Sequence, residues 1–261
     1  MDFITAIVLG LLQGIFEWLP ISSQGNILGI LVWFGSNPKV ALQLAVMLHA
    51  GTLLSAIVYF RKELREMLLP KQNVSETKKK KNSQLLKFLI IATIATAITA
   101  IPSFLILEEL LGFGIAFVLL LLAVLLLITG LLQLKKKQIG AGKLTWKNGL
   151  LAGLGQGFSA LPGVSRSGIT TSVLLFRGFS GEDAFRISFL MSIPAVFFAE
   201  IGYGLLKGFI FNEFSLVALI VAFVIGLVTM DLLIKLVRKI NFSWICFVLA
   251  IIYFIGFVLL V

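Results

Sequence analysis

Apolar residues in this 261-residue chain gather into six runs of membrane-crossing length: about 40–60, 85–106, 113–133, 184–206, 214–234 and 242–261. A helix needs roughly 20 apolar residues to cross a hydrocarbon core about 30 Å thick. Two further apolar stretches are interrupted. Residues 3–34 are broken by Pro20-Ile-Ser-Ser-Gln-Gly25, and residues 148–178 by Pro162-Gly-Val-Ser-Arg-Ser-Gly168. Each half is too short to span. Non-helical backbone at membrane depth persists only where protein buries it or a wet cavity flanks it. Both stretches are therefore expected to be re-entrant helix–loop–helix hairpins with polar tips. The expected fold is an all-α polytopic membrane protein, with six transmembrane helices plus the two hairpins in one integral-membrane domain over 1–261.

Composition excludes the alternatives. Hydrophobic residues make up 59% and charged ones 13%, with a mean hydropathy of +1.07. A soluble domain carries roughly a quarter charged residues, and a disordered chain is poor in apolar ones. The single Cys, Cys246, allows neither an internal disulfide nor a cysteine metal site, and reads as lipid-facing or core filler. Met1-Asp-Phe-Ile-Thr carries no basic n-region, so no cleaved signal is expected.

The net charge of +10 would suit nucleic acid, but its placement points to topology instead. If both hairpins re-enter, segments 61–84, 134–147, 177–186 and 235–241 share one side. With Lys87, that side holds all but three of the 22 Lys and Arg, the exceptions being Lys39, Lys207 and Arg166. The other side carries Glu108, Glu109 and Glu213. The positive-inside rule then sets both termini outside. The run Lys78-Lys79-Lys80-Lys81 reads as part of this signal, and nucleic acid is not an expected partner.

The two broken stretches also resemble each other. Gln13-Gly14 recurs as Gln156-Gly157; nine residues past each Gln stands a Ser (Ser22, Ser165), and twelve past stands a Gly (Gly25, Gly168). Three full spans separate the copies, which gives them opposite orientation. An inverted repeat is expected, repeat 1 covering about 1–106 and repeat 2 about 113–261. Interrupted helices meeting near the midplane are a recurring way to build a substrate site in a bilayer. Chance similarity of Gly/Ser/Pro-rich turns is the competing account.

Ionisable groups inside hydrocarbon cost several kcal/mol and so point to function. The hairpins hold Glu17 and Arg166, and the spans hold Glu200 and Asp231. Gln13 and Glu17 lie four apart, on one helical face. A guanidinium matches phosphate oxygens with a fork of donors. The helix start after Ser165 offers free N–H groups and a positive dipole end. Arg166, Ser165, Ser167 and Thr170 thus read as a phosphate cradle, set opposite a carboxylate and the paired serines Ser22 and Ser23. An Arg166–Glu17 ion pair is the bland alternative and does not exclude function. At least one of Ser22 and Ser165 is expected as an N-cap. Asp231 is expected to pair with Lys235, Glu200 to bond a neighbouring helix, and His49, the single His, to serve helix packing.

These motifs resemble the undecaprenyl-diphosphatase family, the integral-membrane phosphatases tied to bacitracin resistance. That family shows a Glu/Gln-x-x-x-Glu motif, then Pro-x-Ser-Ser-x-Gly, and later Pro-Gly-x-Ser-Arg-Ser-x-x-Thr. They read here as Gln13-Gly-Ile-Phe-Glu17, Pro20-Ile-Ser22-Ser23-Gln-Gly25 and Pro162-Gly-Val-Ser165-Arg166-Ser167-Gly-Ile-Thr170. The resemblance implies hydrolysis of a C55-type polyprenyl diphosphate to the monophosphate, which recycles the lipid carrier for cell-envelope glycans. It implies a plasma-membrane site open to the extracytoplasmic side and assistance by Mg²⁺ or Ca²⁺. Ser22, Ser165, Arg166, Ser167 and Thr170 would hold the phosphates. Glu17 would be the base or a metal ligand, and Ser23 the nucleophile or a water-positioning group. The expected partners are the polyprenyl diphosphate and the bilayer, with a homodimer admitted.

Two positions depart from the family pattern. Its usual His after the first-motif Gly is Asn26 here, and its common first Glu is Gln13. Both are left supporting roles, since an amide orients but takes no proton. If Asn26 replaces a catalytic His, Asn26→His is expected to preserve or raise hydrolysis, since an imidazole of similar size would add a base titrating near neutral pH. The rival functions are a lipid flippase or transporter that binds the headgroup without efficient cleavage, and a purely structural membrane protein.

Overall fold

A computed structural model describes residues 2–69, 75–134, 140–208, 212–239 and 241–261, with only the backbone of 233, 234 and 236–239. Lys71 and Lys135, Lys136 and Lys137 of the basic loops lie outside the described residues. The helices in chain order are α1 Phe3–Phe16, α2 Ser23–Trp33, α3 Pro38–Met47, α4 His49–Tyr59, α5 Arg61–Leu68, α6 Glu76–Leu110, α7 Ile115–Leu134, α8 Trp146–Gly157, α9 Arg166–Phe176, α10 Gly181–Lys207, α11 Glu213–Lys239 and α12 Ser243–Leu260. No strand occurs among the described residues.

Six helical segments are long and apolar enough to cross a membrane: Pro38–Tyr59, Glu76–Phe113, Ile115–Leu134, Gly181–Lys207, Glu213–Leu232 and Ser243–Leu260. They coincide with the six apolar runs. The first is jointed at Leu48, where α3 ends and α4 begins. The second starts well before its apolar run, so the four-lysine run forms the opening turns of a 35-residue helix. On α6, Ile90, Ile94, Ile98, Ile101 and Leu105 are exposed, a stripe at helical period that faces lipid rather than water.

The interrupted stretches are short helix pairs, of 14 and 11 residues in α1 and α2 and of 12 and 11 in α8 and α9. Packing between the two halves of the chain is reciprocal. α1 lies against α11 as α8 lies against α6, and α2 meets α3 as α9 meets α10. Both docking helices use glycine faces, Gly10 and Gly14 on α1 and Gly149, Gly153 and Gly157 on α8. A Cβ at Gly14 would stand 2.8 Å from Ile225 Cβ, so only glycine lets these backbones approach so closely. Hydroxyls then cross the contacts. Thr229 donates to the Gly14 carbonyl at 3.1 Å, and Thr99 donates to that of Leu154 at 2.8 Å.

The two non-helical tips need partners for their backbone polar groups, and protein supplies them. Asn26 Nδ2 donates to the carbonyls of Ile21 and Ser22 at 2.8 and 2.9 Å. Gln133 Nε2 donates to Pro20 O at 2.7 Å, and Thr129 donates to Gly163 O at 2.9 Å. Cys246 is buried with its Sγ 3.4 Å from that same Pro20 carbonyl, so it packs under a tip and does not face lipid.

Ion pairs mark the two ends of the bundle. Arg186 pairs with Glu63 at the end holding α5 and the start of α10, and Lys207 pairs with Glu108 at the other. Asp231 accepts a hydrogen bond from Tyr59. The expected partner was Lys235, on its own helix; α4 packs against α11 and brings the phenol there instead.

Candidate functional site where two broken helices meet

The tips touch. Ser22 Oγ accepts from Gly25 N of its own hairpin at 3.3 Å and from Gly163 N of the other at 3.0 Å. Ser167 Oγ donates to Leu19 O at 3.2 Å. Gly25 makes this approach feasible, since a Cβ there would lie 2.5 Å from Gly163 N. Ser22 has φ +64°, the one non-glycine left-handed residue among those described. Such a conformation costs of order 1 kcal/mol and is kept where the surroundings impose it. Here it turns the chain so that Ser23 becomes the first residue of α2. Ser165 caps α9 in the same way, accepting from Gly168 N at 3.2 Å. Two helix N-termini, each with a positive dipole end, therefore converge on one place, which suits an anion.

Between them stands a charged cluster. Arg166 Nη2 donates to Glu17 Oε1 at 2.5 Å. Glu17 Oε2 accepts from Ser23 Oγ at 2.7 Å and from Gln13 Nε2 at 3.1 Å. The guanidinium also lies 5.8 Å above the Phe189 ring, which itself meets Trp18 edge-on. Trp18 is anchored by a 2.9 Å bond to Gly226 O. Burial and this stack fix the Arg166 plane, so its remaining donors are preorganised. His49 Nε2 stands 3.4 Å from Glu17 Oε2.

A cavity of about 690 Å³ opens on this cluster. Glu17, Ser22, Ser23, Gln24, His49, Gln156, Ser165, Arg166 and Ser167 line its polar end. Its long wall is apolar, from Ile94, Ala97, Ile101, Phe104 and Leu105 of α6 and from Ala195, Val196, Phe198, Ala199 and Leu206 of α10. Several of these side chains are more than half exposed, so the slot between α6 and α10 opens sideways toward lipid. The lining residues run from the tips toward the end bearing Glu108 and Lys207.

The structure brings Glu17, Ser22, Ser23, Ser165, Arg166 and Ser167 together. It turns three expected site residues to other partners. Thr170 Oγ1 faces Ser188 Oγ at 2.5 Å and donates to Arg166 O, so it braces the loop beneath the guanidinium. Gln13 lies behind Glu17, bonded also to Thr52. Asn26 Oδ1 accepts from Tyr253 at 3.2 Å while its Nδ2 holds the tip. A neutral imidazole there has a single N–H and could not serve both of those carbonyls. Two residues read from sequence as packing groups, His49 and Glu200, line the cavity. The signal for both was an ionisable side chain inside a span; their direction was not legible.

The donor set does not fit a divalent cation held by protein alone. Both Glu17 oxygens already have partners, and among the described residues no three His, Cys, Asp or Glu side chains converge. Hard cations want several oxygen ligands.

Comparison with known proteins places this arrangement. The chain is 41% identical over 246 residues to the undecaprenyl-diphosphatase of Methanococcoides burtonii, covering 92% of this chain and 93% of that protein. It is 41% identical over 253 residues to the one from Haloarcula marismortui, 93% of each. It is 37% identical over 257 residues to the one from Syntrophotalea carbinolica, 92% of each. The profile of the family described as bacitracin resistance protein BacA matches residues 6–252, so a match spanning nearly every helix, with both tip motifs inside it, makes this chain a member of that family.

Proposed function

We propose that this chain hydrolyses undecaprenyl diphosphate to the monophosphate and phosphate, at the meeting point of the two tips. The observation that carries the reading is the combination of headgroup and tail sites in one cavity. A cationic end with two helix N-termini suits a diphosphate, and a lipid-open apolar slot suits a prenyl chain. Arg166 and the N-termini of α2 and α9 hold the phosphates, with Ser22, Ser165 and Ser167 around them. Ser23 Oγ attacks the distal phosphorus. Glu17 Oε2, within 2.7 Å, is at the distance a base needs from the proton it takes. The new P–O bond forms as the bond to the bridging oxygen breaks, and the polyprenyl monophosphate leaves. Water then frees the phosphate from Ser23. Preorganised donors aimed at developing phosphate charge supply most of the rate in such transfers.

The chain reads as two inverted repeats, about 1–106 and 113–261, each opening with a re-entrant hairpin. The reciprocal packing of α1 on α11 and α8 on α6 supports that reading. The active site faces the extracytoplasmic side and both termini lie outside. Support comes from the cavity running toward the Glu108–Lys207 end while most Lys and Arg sit at the other.

Purified protein in detergent, given polyprenyl diphosphate, is expected to release phosphate and to lose that activity in Ser23→Ala. Lipid binding without release in the wild type would overturn the reading. For topology, Lys79→Cys in intact cells is expected to resist an impermeant thiol reagent. Cys246 is buried and gives little background; labelling from outside would invert the assignment.

A further inference from the structure

Among the described residues, Gln13, Gln133 and Gln156 each hold a buried side-chain oxygen with no hydrogen-bond donor. Of these three, only Gln156 lines the cavity. It is 1% exposed, in the last turn of α8, and its Nε2 donates to Thr96 Oγ1 of α6 at 3.0 Å. That hydroxyl already donates to the Ala92 carbonyl at 2.7 Å. Its one proton is committed, so it accepts from the amide nitrogen, which fixes Oε1 on the other side. A buried acceptor left without a donor is costly, so Oε1 calls for a donor that enters from the cavity.

The first hairpin supplies the contrast. There the matching Gln13 donates both to Thr52 and to Glu17, four residues on. In the second hairpin the residue four on is Ala160, which also lines the cavity. A methyl group offers the amide no polar partner. The side of Gln156 that a carboxylate takes in the first tip therefore belongs to the cavity in the second. Thr96 and Ala97, at the head of the apolar slot, stand in the same wall.

We propose that Gln156 is a catalytic residue of the second half of the reaction, its Oε1 holding the water that frees the phosphate from Ser23; the proposal rests on the hydrolase reading above. In phosphoryl transfer the entering and leaving oxygens lie on opposite sides of phosphorus, and a glutamine can orient the attacking water. In the first half Ser23 Oγ enters from the first hairpin, and the bridging oxygen leaves on the side of the slot. In the second half Ser23 Oγ is the leaving group, so water enters from the side of the slot, where Gln156 stands beside Thr96. A water that donates one hydrogen to Oε1 turns a lone pair toward phosphorus. As its O–P bond forms, the P–Oγ bond breaks and the electron pair stays on Ser23 Oγ, which takes back the proton held by Glu17. Of the water's two hydrogens, one remains on the released phosphate and the other passes to solvent. The amide oxygen accepts a hydrogen bond and takes no proton.

The test uses the full chain in detergent with polyprenyl diphosphate radiolabelled in its distal phosphate, and compares wild type, Gln156→Leu and Gln156→Asn by rapid acid quench. Leu removes the acceptor, and Asn withdraws it by one methylene while keeping an amide, so the measurement stands even if the Leu variant folds poorly. The expected result in both is a burst: the first turnover releases polyprenyl monophosphate at the wild-type rate, and the label stays on the protein. Steady-state phosphate release should then fall about a hundredfold, the loss that misplacing a reacting group brings. Ser23→Ala should hold no label. Wild-type phosphate release in either Gln156 variant would overturn the water site. So would an equal fall in the first turnover and the steady state with no label held, since that pattern marks a structural role. Absence of phosphate release in the wild type itself would instead overturn the hydrolase reading, which keeps the two failures apart.

Discussion

The two hairpins share a layout and divide the chemistry. Both open with a glycine-faced helix carrying a buried glutamine, Gln13 or Gln156, and both restart on a capping serine. Four residues past each Gln stands Glu17 in the first and Ala160 in the second; ten past stands Ser23 in the first and Arg166 in the second. The first tip thus holds the carboxylate and the hydroxyl it polarises, and the second holds the guanidinium. Neither tip is a site alone. The lesson is that one backbone device, a broken helix whose free N–H groups face inward, occurs in both hairpins. The side chains at two matching offsets differ, a carboxylate and a hydroxyl in the first and a guanidinium in the second.

The largest effect should separate those duties. Arg166→Ala and Ser23→Ala are each expected to cut turnover at least about a hundredfold, near 3–4 kcal/mol for a key preorganised group. Arg166→Ala should also weaken lipid binding, while Ser23→Ala leaves it intact. Phosphate release paired with a lipid-binding titration reads both, and equal binding in the two variants would erase the division.

Next comes the contact between tips. Gly25→Ala drives a Cβ to 2.5 Å from the backbone of Gly163, whereas the matching Gly168→Ala meets its nearest atom at 3.1 Å, within its own hairpin. Overpacking against backbone costs about 3 kcal/mol, so thermal melting in detergent should fall steeply for Gly25→Ala and less for Gly168→Ala. A reversed order would mean that the tips do not touch as described.

Asn26→His should destabilise by about 2 kcal/mol, because a single imidazole N–H cannot serve both carbonyls in a buried tip. The corresponding position in the second hairpin is Ile169, which has no side-chain donor. Melting with turnover checks this; higher turnover at unchanged stability would restore Asn26 to the reacting centre. The smallest difference concerns the caps. Ser22→Ala removes the acceptor of two N–H groups and Ser165→Ala that of one, so losses of about 2 and about 1 kcal/mol are expected in the same melts.

Apolar run length and the two polar interruptions were enough to read the helices and the tips from sequence, because a bilayer leaves so few ways to satisfy a backbone. The motif residues Glu17, Ser23 and Arg166 could be picked out singly, since charge inside apolar sequence is costly. The Arg166–Glu17 pair was one of two readings the sequence offered, and the structure makes it; what local sequence could not supply is the contact itself. Glu17 and Arg166 are joined across 149 residues, and nothing local says that two loops meet. Asp231 shows the same limit: its near neighbour Lys235 was the local expectation, and packing of α4 on α11 gave it Tyr59. The directions of Cys246 and His49 were left open, because a fully apolar helix gives no polar face from which to infer what each side points at; Cys246 proves to be core filler and His49 faces the cavity.

Sequence by itself determined that this chain lives in a membrane, where its helices run, which two stretches break and which few ionisable groups demand a reason. Tertiary structure alone decided which of those groups share an oxygen, that His49 stands among them while Asn26 is turned away, and that an apolar slot lies between α6 and α10. The physical reason is that hydrophobic length is a one-dimensional quantity carried by consecutive residues. A site is set by distances of about 3 Å between residues far apart in the chain, and only helix packing fixes those.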